Sequence, residues 1–325
     1  MATIKDVANM ANVSIATVSR AMNNSGYVSD KSRKKIQEAI DYLDFFPSEV
    51  ARSLYQKKSK LIGLLLPDIS NPFFPTLAKG VEDTLNESGY HVILGNIGGD
   101  NQEKEQNYIK TFIQNNISGI ITTTKNTERY IKDMPLVLLD RASDKDNYAV
   151  FSNALVGGQI SAKAILERSP KKILLIKGPK DIVSAQDRFN GAYSELKKSP
   201  VPFEVLKTSS FELSSARDVV KQIFENYQDV DSIIASNDLH AITILNEALR
   251  RGMKIPQDLQ IIGYDDIYDC EMIHPRLSTI SQPAYEMGVK AAELLIKRIE
   301  NKPIEQNTIC LPVSLKVRDT LKIRG

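Results

Sequence analysis

Apolar positions in the first 46 residues repeat at helical spacing in three short segments. In the first segment they share one helix face, at Ile4, Val7, Ala8 and Ala11. Asn12 tolerates the left-handed backbone that ends a helix, and Ser14 can cap a second helix from Ile15 to about Met22. A third helix, capped by Ser29, has its buried stripe predicted at Val28, Ile36, Ala39, Ile40 and Leu43. The pattern predicts helix, turn, helix and a third supporting helix.

From Leu61 onward, short apolar runs alternate with longer amphipathic segments. Ten runs, among them LIGLLLP, HVILGN, KILLIKG and QIIGYD, predict buried strands, and a last strand is expected in TICLPVSLKVRD. Helical patterns lie between them, at 76–88, 103–115, 155–167, 216–227, 241–251 and 284–300. Such alternation predicts parallel sheets covered on both faces. Because ten strands exceed one doubly wound domain, we expect two lobes, with a break near 152–158.

The segment PSEVARSLYQKKSK, residues 47–60, lies between these two parts. Pro47 suits the first turn of a helix, and the residues up to Leu54 span about two turns. Isolated helices of this length are marginal in water. We therefore expect this helix to form only when something packs against it; the plain alternative is that Leu54 packs on the surface of the following domain.

Composition and charge narrow the class of protein. The chain has 325 residues, of which 42% are hydrophobic and 25% charged, as in a globular protein of two or three domains. Residues 1–60 carry ten Lys or Arg and six acidic residues, a net +4, which leaves −2 for the rest. A small basic unit on a slightly acidic body favours polyanion binding, whereas a solvated charged face is the ordinary alternative.

Several classes of function are disfavoured by what the sequence lacks. No apolar run approaches a membrane span, the N-terminus has no signal pattern, and the two cysteines lack metal-ligand spacing, so we expect a cytoplasmic protein without membrane partner or metal. The phosphate-binding glycine motifs are missing. Each histidine (His91, His240 and His274) lacks a neighbouring Cys or His, so we expect structural histidines, no cofactor and no enzymatic activity. A sugar-binding or sugar-modifying enzyme is an alternative that these absences disfavour.

The second predicted helix has the composition of a DNA-recognition helix. In a helix-turn-helix its N-terminal residues face base edges in the major groove, and here Ile15, Ala16 and Arg20 take those places. Arg20 can fork onto guanine, which is worth ~1–3 kcal/mol of discrimination. Further DNA-contacting candidates, mostly toward phosphates, are Lys5, Ser14, Thr17, Ser19, Asn23 and Tyr27. The alternative is a three-helix domain with a chance basic face.

Polar and aromatic residues concentrate where the predicted strands end, which is where open α/β sheets bind ligands. The candidates are Asn71, Phe73, Phe74, Asp140, Arg141, Arg188, Phe211, Asn237, Asp265 and Gln282. Carboxylate, amide and guanidinium groups suit sugar hydroxyls, and flat phenylalanine rings suit sugar C–H faces. Each has an ordinary alternative: NPFF can start a helix with core phenylalanines, and a polar residue ending a strand often caps the next helix. Together they predict a sugar site.

The segments ATIKDVANMANVSIATVSRAMN and PSEVARSL resemble the lactose-repressor (LacI) family of bacterial transcription regulators, and the resemblance runs through the whole chain. It implies an all-α helix-turn-helix head at 1–46, a hinge at 47–60, and an α/β periplasmic-binding-protein-like core at 61–325 made of two doubly wound parallel-sheet lobes. It also implies that two hinge helices of a homodimer lie in the minor groove, where Leu54 wedges into a base step. The hinge positions implied to contact DNA are Ser48, Ala51, Arg52 and Leu54.

The same resemblance implies how the core is divided. The chain crosses between the lobes three times, so the first lobe comprises about 61–155 and 284–310. The second lobe comprises about 156–283 and 311–325.

Further short segments resemble the ribose-contacting set of the bacterial ribose-binding protein: NPFF, LDR, the arginine of DRFNG, the phenylalanine of SSFE, ND, GYD and SQP. With LIGLLLPDISNPFFP and AQDRFNGA, they resemble most the ribose-responsive family members of Gram-positive bacteria. This implies a repressor of ribose-utilisation genes that binds palindromic operator DNA as a homodimer and is released by ribose or a ribose phosphate. The alternative is a carbon-catabolite-type regulator controlled by the serine-phosphorylated phosphocarrier protein HPr.

The sequence departs from the family pattern in two places. The recognition helix enters as SIATVSR, whose first two residues after the serine vary with the operator, so no operator sequence is implied. Ser48 replaces the asparagine expected in PNEVARSLY, a change that we expect on the solvent side and that leaves the implied hinge unaffected.

Overall fold

The computed structural model describes residues 2–23, 25–45, 59–99, 101–131 and 134–324. The chain divides into two compact units, Met1–Ser59 and Lys60–Gly325. The hinge positions predicted to contact DNA lie outside the described residues: Ser48, Ala51, Arg52 and Leu54.

Three helices form the first unit: α1 (Ile4–Ala11), α2 (Ile15–Asn23) and α3 (Asp30–Leu43). Thr3 and Asp6 begin α1 through reciprocal side-chain and backbone hydrogen bonds, and Asn12 ends it with a left-handed backbone at φ 51°. The helices share a small core made of Val7, Ala8, Ala11, Val18, Val28, Ile36, Ala39 and Phe45. Ile40 and Leu43, predicted as part of the buried stripe, pack at its edge and stay partly exposed.

The second unit contains two sheets, each with six strands in the described part of the chain. The strands of the first sheet are β1 (Leu61–Leu66), β2 (His91–Asn96), β3 (Gly119–Thr122), β4 (Leu136–Leu139), β5 (Ala149–Ser152) and β11 (Thr308–Leu311). Those of the second are β6 (Ile173–Lys177), β7 (Phe203–Lys207), β8 (Ser232–Ile234), β9 (Gln260–Asp265), β10 (Ser278–Ser281) and β12 (Ser314–Lys316). The spatial orders are β2-β1-β3-β4-β5-β11 and β7-β6-β8-β9-β10-β12, and all pairs are parallel except β10 with β12.

Helices cover both faces of each sheet, as parallel strands require. They are α4 (Phe73–Glu87), α5 (Gln102–Gln114), α6 (Ala154–Leu166), α7 (Val183–Leu196), α8 (Leu213–Asn226), α9 (Asp238–Arg250), α10 (Asp269–Met272) and α11 (Ala284–Ile299). The first sheet with α4, α5 and α11 is called the first lobe, and the second sheet with α6 to α10 the second lobe. This arrangement confirms the predicted fold class.

The secondary structure differs from the sequence prediction in several places. Helices α4, α8 and α9 each begin three residues before the predicted start, and α7 and the short α10 were not predicted. The single strand expected in TICLPVSLKVRD is wrong: it is two short strands, β11 in the first sheet and β12 in the second. Pro312, which has no N–H to donate to a ladder, lies between them. No described helix is long and apolar enough to cross a membrane.

Helices α4 and α11 pack against each other at unusually close range. The contact depends on Gly80 in α4, because a Cβ built at this position would lie 2.1 Å from the backbone carbonyl oxygen of Tyr285 in α11. Backbone atoms in a helix cannot move aside individually, so any side chain here must push the two helices apart.

We predict that Gly80→Ala destabilises the protein by about 1–3 kcal/mol, although alanine is the better helix former by about 1 kcal/mol. Urea unfolding of the full chain, followed by far-UV circular dichroism, measures the change. Asn86→Ala, on the exposed side of the same helix, is the matched control and should change stability by less than about 0.5 kcal/mol. Equal midpoints for Gly80→Ala and the parent would contradict the close packing.

Candidate functional site

The ten predicted ligand-binding residues all line one cavity between the two lobes. Five come from the first lobe (Asn71, Phe73, Phe74, Asp140 and Arg141) and five follow strands of the second (Arg188, Phe211, Asn237, Asp265 and Gln282). They meet because the carboxyl ends of the parallel strands in both sheets face the same cleft. Ile182 and Ser184, just before and within the first turn of α7, also line the cavity and were missed because the helix was not predicted.

The cavity is narrow, with a volume of about 20 Å³, room for about one water molecule. On one side it adjoins a wider pocket of about 250 Å³, which shares Asn71, Phe74, Arg141, Ile182 and Phe211 with it. A monosaccharide is larger than the inner cavity, so the groups that line it must move apart to admit one.

Asn71 and the two phenylalanines combine a structural role with their place in the cavity. The Asn71 side-chain oxygen accepts a hydrogen bond from the backbone N–H of Phe73 at 3.1 Å, which fixes the start of α4. Phe73 and Phe74 are buried, and their ring centres lie 5.2 Å apart in an edge-to-face arrangement. The alternative considered for NPFF, a helix start with core phenylalanines, therefore holds together with the cavity lining.

Arg188 lies almost buried at the centre of the second lobe's side of the cavity. Its guanidinium carbon is 3.4 Å from the centre of the Tyr264 ring and 5.9 Å from that of Phe211. Its Nη1 donates to the carbonyl oxygen of Ser236, and its Nη2 is 3.6 Å from an Asp265 carboxylate oxygen. Nε is buried and has no partner among the described residues. Stacking and ion pairing thus hold the group in place while one donor stays available.

Tyr264 is the platform for Arg188, and it was not among the site residues predicted from the sequence. Tyr264 is fully buried inside β9, so its pattern is that of a core residue, although it directly precedes Asp265 in GYDD. Gly157 in α6 makes room for it, because a Cβ at that position would lie 2.2 Å from the Tyr264 hydroxyl. Burial raises the pKa of Tyr264 to about 12, which keeps the ring neutral.

Gln282 joins the two lobes through hydrogen bonds. Its Nε2 donates to Asp265 at 2.7 Å, and its Oε1 accepts from the hydroxyl of Ser152, the last residue of β5. Gln282 follows β10, so this relay links the end of a first-sheet strand with the ends of two second-sheet strands. Ser152 was not selected from the sequence, because a lone serine at a strand end carries no recognisable signal.

The two cavity aspartates adopt a backbone conformation that is uncommon outside glycine. Asp140 has φ 65° and Asp265 has φ 120°. Such strain recurs at ligand sites, where the surrounding structure enforces it. Burial raises the pKa of both carboxyls, although nearby arginines, Arg141 and Arg188 for Asp140 and Arg188 for Asp265, act in the opposite direction. The site therefore presents two buried carboxyls next to a buried guanidinium.

Asn237 both begins a helix and faces the cavity. Its Oδ1 accepts from the backbone N–H of His240 at 3.0 Å and lies 2.5 Å from His240 Nδ1. On the far side of the ring, Nε2 is 3.4 Å from the Thr208 hydroxyl. The Nδ2 group of Asn237 is buried and finds no acceptor in the part of the chain that the structure describes.

The predicted DNA-contacting residues of the head lie along α2 and beside it. Ile15, Ala16 and Arg20 are exposed, and Ile15 keeps 44% of its surface, which is unusual for an aliphatic residue in so small a unit. Ser14 accepts from the backbone N–H of Thr17 at 3.1 Å, so it also caps α2 as predicted.

The remaining candidates of this set border the same helix. Asn23 donates to the Ser19 hydroxyl at 3.3 Å, which places both on one side of α2. Lys5 and Tyr27 are exposed, and Tyr27 keeps 91% of its surface. A large aromatic side chain that stays exposed to solvent does not contribute to the core of the unit. Its exposure is typical of a surface that binds a partner.

A helix-turn-helix head followed by a two-lobed α/β core with a polar interlobe cavity defines the class of ligand-responsive bacterial DNA-binding regulators. Residues 3–48 match the family of bacterial regulatory proteins, lacI family. Residues 59–318 match the periplasmic binding proteins and sugar binding domain of LacI family. The chain therefore belongs to the LacI family, whose members are transcription regulators. This confirms the family predicted from the sequence.

Relatives and solved structures agree with this membership. The ribose operon repressor of Bacillus subtilis (strain 168) is 47% identical over 325 residues, which cover 99% of each protein. The lac repressor dimer bound to operator and the anti-inducer ONPF has the same fold, with a TM-score of 0.88 over 98% of both chains at 23% identity. A LacI family transcriptional regulator from Enterococcus faecium with bound ribose matches with a TM-score of 0.71 and 28% identity, over 80% of this chain and 98% of that one.

The burial of His240 predicts a pH dependence of stability. Burial lowers the pKa of His240 to about 4 from the usual 6.5. Between these pH values the unfolded chain binds more protons than the folded one, so this contribution to stability is lost as the pH falls. From pH 7 to about pH 4.5 the parent should lose on the order of 2–3 kcal/mol more than His240→Gln.

Urea unfolding at a series of pH values measures this difference. His91→Gln, which replaces an exposed histidine, is the control, and its curve should run parallel to that of the parent. A His240→Gln curve that also runs parallel would show that His240 takes up its proton in the folded state as easily as in the unfolded one.

Proposed function

We propose that the protein represses ribose-utilisation genes by binding a palindromic operator as a homodimer, and that ribose or a ribose phosphate in the interlobe cavity relieves the repression. One observation carries the proposal: ten residues predicted from the sequence line a single cavity that offers both donors and acceptors. Two buried donors have no partner among the described residues, Arg188 Nε and Asn237 Nδ2, and their residues line the cavity together with Asp140 and Asp265. A sugar, whose hydroxyls both donate and accept, matches this mixture.

The choice of ribose among sugars is supported by the relatives. Proteins named ribose operon repressor match the chain over nearly its full length, and a structure of a family member holds ribose. The DNA-contacting face of the head supports a regulator rather than an enzyme. We propose that the protein acts in the cytoplasm and needs no metal, cofactor or catalytic residue for this function.

We propose that the lobe angle carries the signal. Because the inner cavity is too small for a sugar, the lobes open to admit the ligand and close on it with Asp140 and Arg141 on one side and Arg188, Asn237 and Asp265 on the other. The hydrogen bonds from Ser152 through Gln282 lie where the chain crosses between the sheets, so a change of lobe angle alters their geometry directly.

The proposed domain organisation gives the signal its route. The head is residues 1–46 and the hinge 47–60; the first lobe is about 61–155 with 284–310, and the second lobe about 156–283 with 311–325. A change of lobe angle in a dimer alters the spacing of the two hinge segments and so the fit of the Leu54 wedges to DNA.

Operator binding in the presence of sugars tests the proposal. An operator selected by the protein from random duplex DNA is labelled, and its affinity is measured by fluorescence anisotropy at fixed salt. D-ribose or ribose 5-phosphate should weaken binding roughly 5–150-fold, a coupling of ~1–3 kcal/mol. D-xylose and D-glucose serve as controls and should have little effect.

Other outcomes separate the alternatives. If another sugar weakens binding while ribose and its phosphate do not, the ligand assignment is wrong. If no sugar acts but serine-phosphorylated HPr strengthens operator binding, the carbon-catabolite alternative replaces it.

Two substitutions should separate the two activities. Arg188→Ala removes charged hydrogen bonds to the ligand, so the dissociation constant for ribose should rise about 10–100-fold while operator binding stays intact. Leu54→Ala should weaken operator binding and leave ribose binding and dimerisation unchanged. Calorimetry with ribose and anisotropy with operator measure both, and Arg217→Ala, an exposed arginine on α8, is the control for Arg188.

Arg188→Ala that still responds to ribose at the parent's concentration would place the ligand elsewhere. If Leu54→Ala binds operator as tightly as the parent, the proposal that Leu54 wedges into a base step is wrong.

A further inference from the structure

We propose that His240 is a positioning residue of the ligand site, which turns the Asn237 amide so that its NH₂ group, and not its carbonyl oxygen, faces the sugar. The inference rests on the proposed function, because it assigns a role within the same cavity. It implies that the ligand atom next to Asn237 is a hydrogen-bond acceptor.

The orientation of the Asn237 amide follows from the backbone of α9. The backbone N–H of His240 is a donor only, and the side-chain atom 3.0 Å from it must therefore be an acceptor. This identifies that atom as Oδ1 on chemical grounds, because an NH₂ group there would face a second donor. The other end of the amide, Nδ2, is thereby directed away from the helix.

The tautomer of His240 follows from the same oxygen. Oδ1 of Asn237 lies 2.5 Å from His240 Nδ1 and has no hydrogen to donate, so Nδ1 must carry the proton of the ring. Nε2 is then the unprotonated nitrogen of a neutral imidazole, 3.4 Å from the hydroxyl oxygen of Thr208. Burial lowers the pKa of His240 to about 4, so the ring stays neutral near pH 7.

The neighbours of Thr208 hold this arrangement in place. Its hydroxyl lies 2.5 Å from that of Ser215 at the start of α8, and it donates to the backbone oxygen of Ser210 at 3.0 Å. The imidazole also meets the edge of Phe211, a cavity residue, with ring centres 6.5 Å apart. His240 therefore sits between a fixed hydroxyl network and two groups that line the cavity.

The amide that results presents a donor for which the described residues offer no acceptor. Asn237 is 1% exposed, and its Nδ2 has no acceptor among the described residues, whereas Oδ1 is used twice. A buried donor without an acceptor is costly, and an oxygen of the bound sugar is the group that would satisfy it. Without the Nδ1 proton only the helix-cap bond restrains the amide, so part of its orientation is lost.

Two isosteric substitutions at His240 test the role directly. Asparagine places an NH₂ donor near the position of Nδ1, whereas glutamine places its amide near Nε2 and leaves the Nδ1 position without a donor. By calorimetry at pH 7.5, His240→Gln should bind D-ribose about tenfold more weakly than the parent, and His240→Asn should bind within about threefold of it. A residue needed only for packing would not discriminate between these two substitutions in this order.

A double-mutant cycle shows whether His240 acts through Asn237. In an Asn237→Ala background, His240→Gln should change ribose affinity less than about twofold, because the group that it positions is gone. Equal effects of His240→Gln in both backgrounds, or equal weakening by Gln and Asn, would overturn the proposal. His91→Gln is the control for loss of a histidine elsewhere.

A measurement without ligand separates this inference from the proposed function. The chain has three histidines, and long-range ¹⁵N–¹H spectra of the ¹⁵N-labelled full chain contain the signals of their imidazole nitrogens. The signals that disappear in His240→Gln belong to His240. The proton is expected on Nδ1; a proton on Nε2 would overturn the inference whatever the ligand. If the parent binds another sugar of the panel and not ribose, the proposed function fails, and the same cycle is then measured with that sugar.

Discussion

A guanidinium group almost buried between two lobes is the interaction on which the ligand site depends. Arg188 is tolerable there because its flat face rests on Tyr264, one nitrogen donates to the Ser236 carbonyl, and another approaches Asp265. Tyr264 in turn occupies space that only Gly157 leaves open. Removing any member of this set exposes the others to loss of partners, so the site behaves as one unit.

The geometry of parallel sheets explains why these groups meet at all. The parallel strands of both sheets end at the same cleft, so a polar residue just after one of these strands lies at the cleft. Placing polar residues at the cleft costs free energy, which is seen in the backbone strain at Asp140 and Asp265 and in the raised pKa values of their carboxyls. A ligand that satisfies the open donors recovers part of this cost, which gives a physical reason for the lobes to close on it.

The polar residues behind the cavity matter as much as those that face it. Ser152 and Gln282 connect the two sheets where the chain crosses between them, and His240 supports Asn237 from within the second lobe. Neither Ser152 nor His240 lines the cavity, yet both determine which atoms their neighbours can offer to a ligand. In the proposed mechanism, the response to a sugar thus depends on a hydrogen-bond network that extends beyond the contact residues.

The sequence by itself determined the local features of this protein: the three helices of the head with their ends at Asn12 and Ser29, the apolar strand runs, and the ten polar and aromatic residues at strand ends. These follow from periodicity and capping, which act over a few residues. Only the tertiary structure decided that the last strand divides between two sheets, that Tyr264 supports Arg188, and that His240 turns Asn237. Such pairings join residues from different elements, and no local pattern encodes which buried side chains will meet across a packed core.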